Sequence, residues 1–573
     1  MPVHNAEIAG LFSRLADLLE LEDANPFRVR AYRTAARNIS GLSHSLVDLL
    51  AAGEDLSKLP GIGKDLAGKI HTLIETGKLP LLEQVQARTP AALSELMKIE
   101  GLGPKRVKAL HRQLHINSFE DLQRAARSGR IRELAGFGAK TEALILERLE
   151  RARQAEDRTR LADAEETAGP LSRYLQDCPG VKQVAVAGSY RRRRDTVGDL
   201  DILVTAQRGT PVTDHFVAYD EVSEVVSQGR TRSTVRLRSG LQVDLRVVPR
   251  VSYGAALLYF TGSKAHNIAL RKLAIKQGYK LNEYGLYKGD KRVAGATETA
   301  VYKKLGLPCI EPELREQRGE IEAARKGRLP QLVSRDDIRG DLHCHTRATD
   351  GHDSLEAMVA AARKRGYEYL AITDHSRHLA VAHGLDRKRL LEQARRIDKL
   401  NAQLDDIVVL RSIEVDILED GRLDLPDSVL GQLDLVVGAV HYKFNLGRKQ
   451  QTERIIRAMD NPHFNILAHP GGRLLNRRPS LDVDMEKLMQ AARERGCFPE
   501  LNAQPARLDL TDSDCMLARE LQLKVVISTD AHSTGNLDYM RFGVSQARRG
   551  WLGPGDVINT RGLDELRKLL RRN

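Results

Sequence analysis

The feature that most constrains the fold lies beyond residue 339, where short apolar segments repeatedly end in histidine or carboxylate residues. These segments are GDLHCH, LAITDH, LRSIEVD, VVGAVH, NILAHP and VVISTDAH, with CFPELNA interposed before the last. Because helical stretches separate them, the seven strands predict a parallel, barrel-like (βα) array. In such a fold the functional side chains gather at the carboxyl ends of the strands.

Nine nitrogen and oxygen donors, without a thiolate, form the expected ligand set at these strand ends. They are His343, His345, Asp350, His375, Glu414, His441, His469, Asp530 and His532. One such histidine alone is more often a hydrogen-bonded core residue, but nine histidine and carboxylate donors on successive strands predict a metal centre. The donors suit three ions, Mn²⁺ or Zn²⁺ (or Fe²⁺) rather than Mg²⁺, of the kind that activate water against phosphoesters. His352 is an alternative ligand to Asp350.

The first 150 residues contain three copies of one short pattern, LPGIGKDLAGKI, IEGLGPKRVKAL and LAGFGAKTEALI. Each copy is an apolar turn, two glycines and a helix, and the glycines are Gly61, Gly63, Gly101, Gly103, Gly136 and Gly138. Paired glycines allow a tight turn and leave backbone N–H groups open at a helix start, where phosphate binds. A single copy is more often a plain turn between helices, but three copies followed by basic residues such as Lys105 predict contact with the DNA backbone.

A nucleotidyl-transfer motif lies in the middle of the chain, in VAVAGSYRRRRDTVGDLDILV. Asp199 and Asp201 are two residues apart, so an extended strand places both carboxylates on one face. Asp244 is flanked by apolar residues in LQVDLRVVP, where a lone charge needs a cation. The three aspartates predict a two-metal Mg²⁺ site. The residues predicted to bind the nucleotide here are Gly188, Ser189, Arg192 and Gly198. The first three are suited to its phosphates, and Gly198 belongs to the adjoining GDLD motif.

This segment resembles the catalytic palm of family X DNA polymerases, and the similarity runs through most of residues 1–315. The stretch YFTGSKAHNIALRKLA resembles the nucleotide-closing subdomain of that family. The resemblance implies nucleotide or template contacts for Tyr259, Phe260, Gly262, Asn267 and Arg271. Two departures are Lys264, where vertebrate members have an acid, and Arg193, which replaces a usual glycine.

Lys69 lies six residues beyond Gly63, in a basic setting. A lysine of this kind most often neutralises phosphate, and with a lowered pKa it forms a Schiff base with an abasic sugar. The family resemblance places Lys69 at the lyase lysine and matches Tyr32 to a tyrosine of that pocket.

Residues 338–573 resemble the PHP (polymerase and histidinol phosphatase) superfamily, and nearly the whole chain resembles bacterial family X polymerases with a C-terminal PHP domain. The resemblance implies gap-filling synthesis on gapped or nicked DNA with dNTPs, and 3′-to-5′ exonuclease activity. It adds abasic-site cleavage and 3′-phosphate removal as candidate activities. The alternatives are a template-independent nucleotidyltransferase, a small-molecule phosphatase joined to a DNA-binding module, and a DNA-end scaffold without turnover.

The expected fold is multidomain α/β, with helical helix-hairpin-helix domains, an α+β nucleotidyltransferase palm and a (βα)₇-type PHP barrel. The predicted boundaries are 1–90, 91–150, 151–252, 253–315, a linker over 316–336, and 337–573. A net charge of +13 and a pI near 9.4 suit a polyanionic partner. The five scattered cysteines and the lack of a leader or apolar span predict a cytoplasmic protein that is a monomer and binds no membrane.

Overall fold

The computed structural model describes residues 5–572 except 23, 41–45, 52, 60, 87, 89–92, 94–95, 97–101, 135, 140, 144, 147–157 and 380–381. The chain divides into two compact units, Met1–Asp157 and Arg158–Asn573. Within the described ranges no helix is both long and apolar enough to cross a membrane.

The first unit is helical. Its helices are Asn5–Leu21, Pro26–Ser40, Leu46–Ala51, Lys64–Thr76, Pro80–Gln86, Pro104–Leu114 and Phe119–Arg127. Leu15 and Leu18, which recur at helical spacing in the sequence, are fully buried beside Phe12. The predicted helical class of this region is therefore confirmed.

The second unit begins with the palm region, residues 158–252. Its strands are β1 (Thr159–Arg160), β2 (Val181–Val186), β3 (Thr196–Val197), β4 (Asp199–Ala206), β5 (Val222–Gln228), β6 (Arg232–Leu237) and β7 (Gln242–Val247). Five of them form a sheet in the order β2-β4-β7-β6-β5, while β1 pairs with β3. The palm helices are Leu161–Gln176, Gly188–Arg191 and Val212–Val217. Strands β4 and β7 are parallel neighbours, with Asp201 opposite Asp244.

The thumb region follows, over residues 253–325. Its helices are Tyr253–Thr261, Lys264–Lys276, Glu298–Lys304 and Glu320–Arg325. Between them lies an antiparallel sheet of β8 (Lys280–Asn282), β9 (Gly285–Lys288) and β10 (Lys291–Ala294). The predicted linker over 316–336 contains the α-helix Glu320–Arg325, and this helix packs on the thumb, where Glu320 is buried against His266 (2.5 Å).

The barrel region contains seven parallel strands in sequence order. They are β11 (Gly340–Cys344), β12 (Tyr369–Ile372), β13 (Val408–Asp416), β14 (Leu435–Ala439), β15 (Ile466–Leu467), β16 (Phe498–Asn502) and β17 (Val526–Ser528). The helices are Leu355–Lys364, Arg387–Asn401, Asp427–Leu430, Arg448–Met459, Met485–Arg495, Asp512–Glu520, Met540–Arg549 and Leu563–Leu570. A parallel bridge between Cys344 and Ala531 brings the two outer strands together, so the predicted barrel is confirmed.

The palm and the barrel share a hydrophobic core. Leu508 and Phe542 of the barrel lie in the same buried cluster as Leu171 and Leu200 of the palm. Apolar area buried in this way is the dominant stabilising term in folding. The two regions therefore belong to one compact unit.

Candidate active sites

The paired-glycine turns of the first unit, called the glycine hairpins below, are tight and lead directly into helices. Gly61 and Gly136 adopt left-handed φ values of +73° and +84°. Gly63 and Gly103 cap the helices that follow them, and neither end receives a side-chain cap. Gly138 begins the third helix, because its carbonyl accepts hydrogen bonds from residues 141 and 142 at 2.9 and 3.0 Å. These helix starts keep N–H groups available for an anion.

Gly101 lies outside the described residues, and for Lys105 the structure describes only its place on the helix Pro104–Leu114. The predicted DNA contacts at these positions remain predictions.

Lys69 is on the helix Lys64–Thr76, where its ammonium forms an ion pair with Asp65. Its side chain is 22% exposed, so the amine is open to solvent only in part. Tyr32 is buried against Phe12, and its hydroxyl has no hydrogen-bond partner within the described part of the chain. The hydroxyl therefore does not bond to Lys69 here.

Three carboxylates meet at one edge of the palm sheet. Asp199 and Asp201 are on β4, and Asp244 is beside Asp201 on β7. Burial and the nearby Asp199 and Asp244 raise the pKa of Asp201 to about 7, and burial with Asp244 also raises the pKa of Asp199. Thr234 and Gln242 hold Asp244 through hydrogen bonds of 2.6 and 3.0 Å. Partly buried carboxylates that repel one another form a fitting site for divalent cations.

The turn that precedes β4 lies directly against these aspartates. A Cβ at Gly188 would stand 2.6 Å from an Asp201 carboxylate oxygen, and Gly188 has a φ of +62°, so both space and conformation require glycine. Ser189 follows in the short helix Gly188–Arg191. Gly198 faces Arg158, whose guanidinium would lie 3.1 Å from a Cβ there.

Arg192 is engaged by other residues of the protein in this structure. Its Nε donates to Glu316 at 3.0 Å and its Nη1 donates to the carbonyl of Thr261 at 2.8 Å. The neighbouring Arg191 forms a two-pronged ion pair with Glu298. Both arginines thus join the palm to the thumb and the segment after it.

The candidate nucleotide pocket brings several predicted residues together. The side-chain amide of Asn267 donates to the carbonyl of Tyr259 at 2.6 Å, and the guanidinium of Arg271 stacks over the Tyr259 ring at 5.3 Å. Phe260 meets the same ring edge-on at 5.0 Å. Gly262 leaves room for Asn267, whose buried carbonyl oxygen has no partner in the described structure.

The nine predicted ligands of the barrel converge at the carboxyl ends of its strands. Three groups of donors lie close enough to hold an ion: His345, Asp350, His375 and His532; His343, His345 and Asp530; His375, Glu414 and His441. His469 is outside these three groups, although its Nε2 lies 3.1 Å from Glu414. His469 and Asp530 have positive φ values of 29° and 52°, which non-glycine residues adopt rarely.

The donor geometry fits bound cations. The Nε2 atoms of His343 and His345 lie 3.1 Å apart. A metal ion bound by both nitrogen atoms would account for this close approach. Burial and the nearby His532 and His375 lower the pKa of His345 to about 4, which leaves it in the neutral, metal-binding form. A Glu414 carboxylate oxygen is buried without a hydrogen-bond donor in the described structure, although histidines surround it at 2.9 to 3.6 Å.

Asp350, and not His352, belongs to this cluster. Asp350 lies 3.3 Å from His375 and 3.4 Å from His532, whereas His352 is exposed and offers its backbone N–H to the His532 carbonyl. The predicted alternative ligand therefore lies outside the donor groups of this structure.

Two buried carboxylates of the site were missed by the sequence reasoning. Glu500 accepts a hydrogen bond from His343 Nδ1 at 2.7 Å, and Asp416 binds His441 Nδ1 at 2.9 Å. Such partners fix the ring orientation and tautomer of a metal-binding histidine. Both acids are on strand segments, PELN and EVD. A charged residue within an apolar strand was the sequence signal that could have identified them.

Arg507 was also missed. Its Nε lies 3.5 Å from Asp530, and its side chain is 20% exposed. The only cue in the sequence is its place in the loop QPAR, just beyond β16. A partly exposed guanidinium at the edge of a metal cluster is suited to a phosphate group of a substrate.

Five family models match the chain. They describe a helix-hairpin-helix domain (3–79), a SAM-like helix-hairpin-helix tandem (93–151), a DNA polymerase beta palm (162–244), a DNA polymerase beta thumb (256–316) and a PHP domain (341–497). Together they confirm the predicted fold class.

Curated relatives agree with these matches. DNA polymerase/3'-5' exonuclease PolX of Bacillus subtilis (strain 168) is 36% identical over the full length of both chains. DNA polymerase lambda of Rattus norvegicus is 30% identical over 46% of this chain and 48% of its own. A probable phosphatase of Thermoanaerobacter sp. (strain X514) is 27% identical over 38% of this chain and 89% of its own. The chain belongs to the family X DNA polymerases that carry a PHP domain.

Proposed function

We propose that this chain is a DNA-repair enzyme that fills short gaps at its palm and trims 3′ ends at its barrel. The observation that carries the proposal is the convergence of two separate donor clusters in one compact unit. One is the aspartate edge of β4 and β7, and the other is the ring of donors at the barrel strand ends. The full-length likeness to a bacterial polymerase and exonuclease supports pairing these two activities.

We further propose the domain division given by the sequence, namely 1–90, 91–150, 151–252, 253–315, a linker over 316–336, and 337–573. The ranges matched by the family models support it. The glycine hairpins then hold the DNA backbone without reading its sequence.

In the palm, Asp199, Asp201 and Asp244 would hold Mg²⁺ ions. Such ions supply activation of the primer hydroxyl and neutralisation of the triphosphate charge. The chain itself orients the substrate: Tyr259 and Asn267 form a wall for the sugar and base of the incoming dNTP. Gly188 and Ser189 offer backbone and hydroxyl donors to its phosphates.

In the barrel, the nine donors would hold up to three ions, with Mn²⁺ or Zn²⁺ as our candidates. These ions supply the activation of water that hydrolysis of a phosphodiester requires. Glu500 and Asp416 hold two of the histidines in orientation, and Arg507 is placed to bind a phosphate of the strand. We propose 3′-to-5′ exonuclease as the main activity, with abasic-site cleavage and 3′-phosphate removal as further reactions of the same site.

Reciprocal variants of the full-length protein test this pairing. Asp201→Ala removes a carboxylate from the palm edge, and His343→Ala removes a donor from the barrel. A one-nucleotide gapped duplex with labelled primer measures extension, and a labelled single strand measures degradation. We expect Asp201→Ala to lose at least about 100-fold in extension and to keep degradation, with His343→Ala showing the reverse.

The alternatives predict different results. Equal extension with and without a template would support a template-independent transferase. No turnover in either assay by the wild-type protein would support a scaffold. Extension by Asp201→Ala at the wild-type rate would overturn the palm assignment, and degradation by His343→Ala at the wild-type rate would overturn that of the barrel.

We also propose that Lys69 is the amine of a lyase acting on abasic sugars. The family place of this lysine and its partial burial support the proposal. Borohydride trapping to a DNA with a 5′ abasic end should give a covalent product with the wild type and none with Lys69→Ala. Lys78→Ala, on an exposed lysine just after the same helix, is the matched control. Undiminished trapping by Lys69→Ala excludes the lysine.

A further inference from the structure

The barrel contacts the palm at the turn that leaves the candidate triphosphate site. Residues 192–194 follow the short helix Gly188–Arg191, and the barrel helix Met540–Arg549 lies against them. Arg549 closes this contact, because its Nη1 donates to the backbone carbonyl of Arg192 at 2.8 Å. The side chain of Arg549 is only 2% exposed, so the bond is shielded from water.

Arg549 also shares a carboxylate with Arg192. Glu316 receives Arg192 Nε at 3.0 Å and Arg549 Nη1 at 3.1 Å, and a third cation, Arg194, stands farther off at 3.9 Å. Burial acts to raise the pKa of Glu316, but Arg549 and Arg192 outweigh it and lower the pKa to about 2. Asp512 holds the other end of the Arg549 guanidinium. The carboxylate is therefore charged, nearly buried and held by two partners.

The same barrel helix fixes the next residue of the turn. Arg193 has a left-handed φ of +57°, in the place where family members usually have glycine. Its guanidinium is bound on one side by Ser545 Oγ at 3.1 Å and on the other by Glu165 at 2.5 Å. The barrel thus holds the backbone of the turn at Arg192 and one side chain, that of Arg193, which the palm residue Glu165 also binds.

The shared hold of Arg192 and Arg549 on Glu316 affects how Arg192 can bind a nucleotide. To reach a triphosphate, Arg192 must leave Glu316, and a buried carboxylate without a partner is strongly unfavourable. Arg549 remains on Glu316 when Arg192 leaves, so the charge stays paired. Without Arg549, the same departure leaves Glu316 with the distant Arg194 as its one cationic partner among the described residues.

We propose that Arg549 of the barrel is a positioning residue of the palm: it holds the Arg192 turn and releases Arg192 for the incoming nucleotide. The inference rests on the proposed polymerase function, since it concerns binding of the dNTP. It makes the barrel part of the nucleotide site, although the barrel carries its own chemistry.

Single-nucleotide gap filling by the full-length protein tests the inference through the KM for the dNTP and kcat. We expect Arg549→Met to raise that KM by about tenfold with a much smaller change in kcat. The double variant Arg549→Met/Glu316→Gln should recover most of this loss, because the uncharged amide that replaces the carboxylate no longer retains Arg192. Arg548→Met is the matched control, since Arg548 binds Glu313 and not the palm turn. Its KM should stay within about twofold of wild type.

The outcomes separate the two proposals. If the wild type fails to incorporate dNTPs, the proposed function is wrong. If it incorporates them and Arg549→Met has a wild-type KM, only this inference is overturned. It is also overturned if polymerase and nuclease activities fall together and Glu316→Gln gives no recovery, because that pattern indicates general loosening. Should Arg549→Met not fold, Arg549→Lys decides: a raised KM supports the inference, and an unchanged KM rejects it.

Discussion

At the scale of single residues, the barrel site depends on acids that hydrogen-bond to the Nδ1 atoms of its histidines. Glu500 uses both carboxylate oxygens: one accepts from His343 Nδ1 at 2.7 Å and the other from the His469 backbone N–H at 2.8 Å. Asn502 donates to the second oxygen as well, at 3.1 Å. One buried acid thereby holds two donors, His343 on β11 and His469 just after β15.

We predict that Glu500→Gln weakens metal binding. Glutamine keeps the size of the side chain but replaces one of the two acceptor oxygens by an NH₂ donor, which then faces an N–H group of a former hydrogen-bond partner. Loss of such a partner costs about 10- to 100-fold in metal affinity. Titration of Mn²⁺ or Zn²⁺ into metal-stripped protein measures the affinity, and excess metal should restore the proposed nuclease activity.

The control for this prediction is Glu494→Gln, on a side chain that is 73% exposed. This variant should bind metal like the wild type. An unchanged affinity in Glu500→Gln would show that the histidines hold their orientation without the acid.

At the scale of helices and strands, local patterns were enough to predict the palm edge and the barrel rim. The two-residue spacing of Asp199 and Asp201 defines one face of a strand, and the period of a strand does not depend on distant residues. The same holds for the histidines, because parallel strands in sequence order place all their carboxyl ends at one rim.

The parts that could not be predicted depend on contacts distant in sequence. The sequence motif predicts that Arg192 binds a phosphate. Its partner in the structure, Glu316, lies 124 residues away in the sequence, so the motif could not indicate it. Glu320 looks like part of a charged connector, and only the fold shows it buried against His266. A charged residue in the sequence indicates that a partner is needed if the residue is buried, but the sequence does not identify that partner.

At the scale of the whole molecule, palm, thumb and barrel meet around buried ion pairs. Glu316 lies where the three regions approach one another, with a side chain 12% exposed. Its folded-state pKa of about 2 lies below the 4.5 of a free glutamate. A lowered pKa contributes stability that is complete above the unfolded value and is lost as the pH falls toward the folded value.

We predict that Glu316→Gln destabilises the protein in a pH-dependent way. The charged Glu316 contributes on the order of 3 kcal/mol above pH 5, and this contribution decreases between about pH 4.5 and pH 2. The melting temperature of the variant should therefore lie well below that of the wild type at pH 5.5. The difference should be smaller at pH 3.5.

Melting curves at both pH values check this prediction. Glu322→Gln serves as the control, since that side chain is 62% exposed and its variant should match the wild type at each pH. A gap between Glu316→Gln and the wild type that stays constant from pH 5.5 to pH 3.5 would contradict the assigned role of the carboxylate.

The core shared by the palm and the barrel bears on how such a gene can evolve. Leu508 and Phe542 complete the packing of the palm, so a chain cut after the thumb would expose apolar surface that water disfavours. Splitting the gene into two independent products would require compensating substitutions on both new surfaces at once. The two regions are therefore easier to keep joined than to separate, because separation exposes packing surface on both.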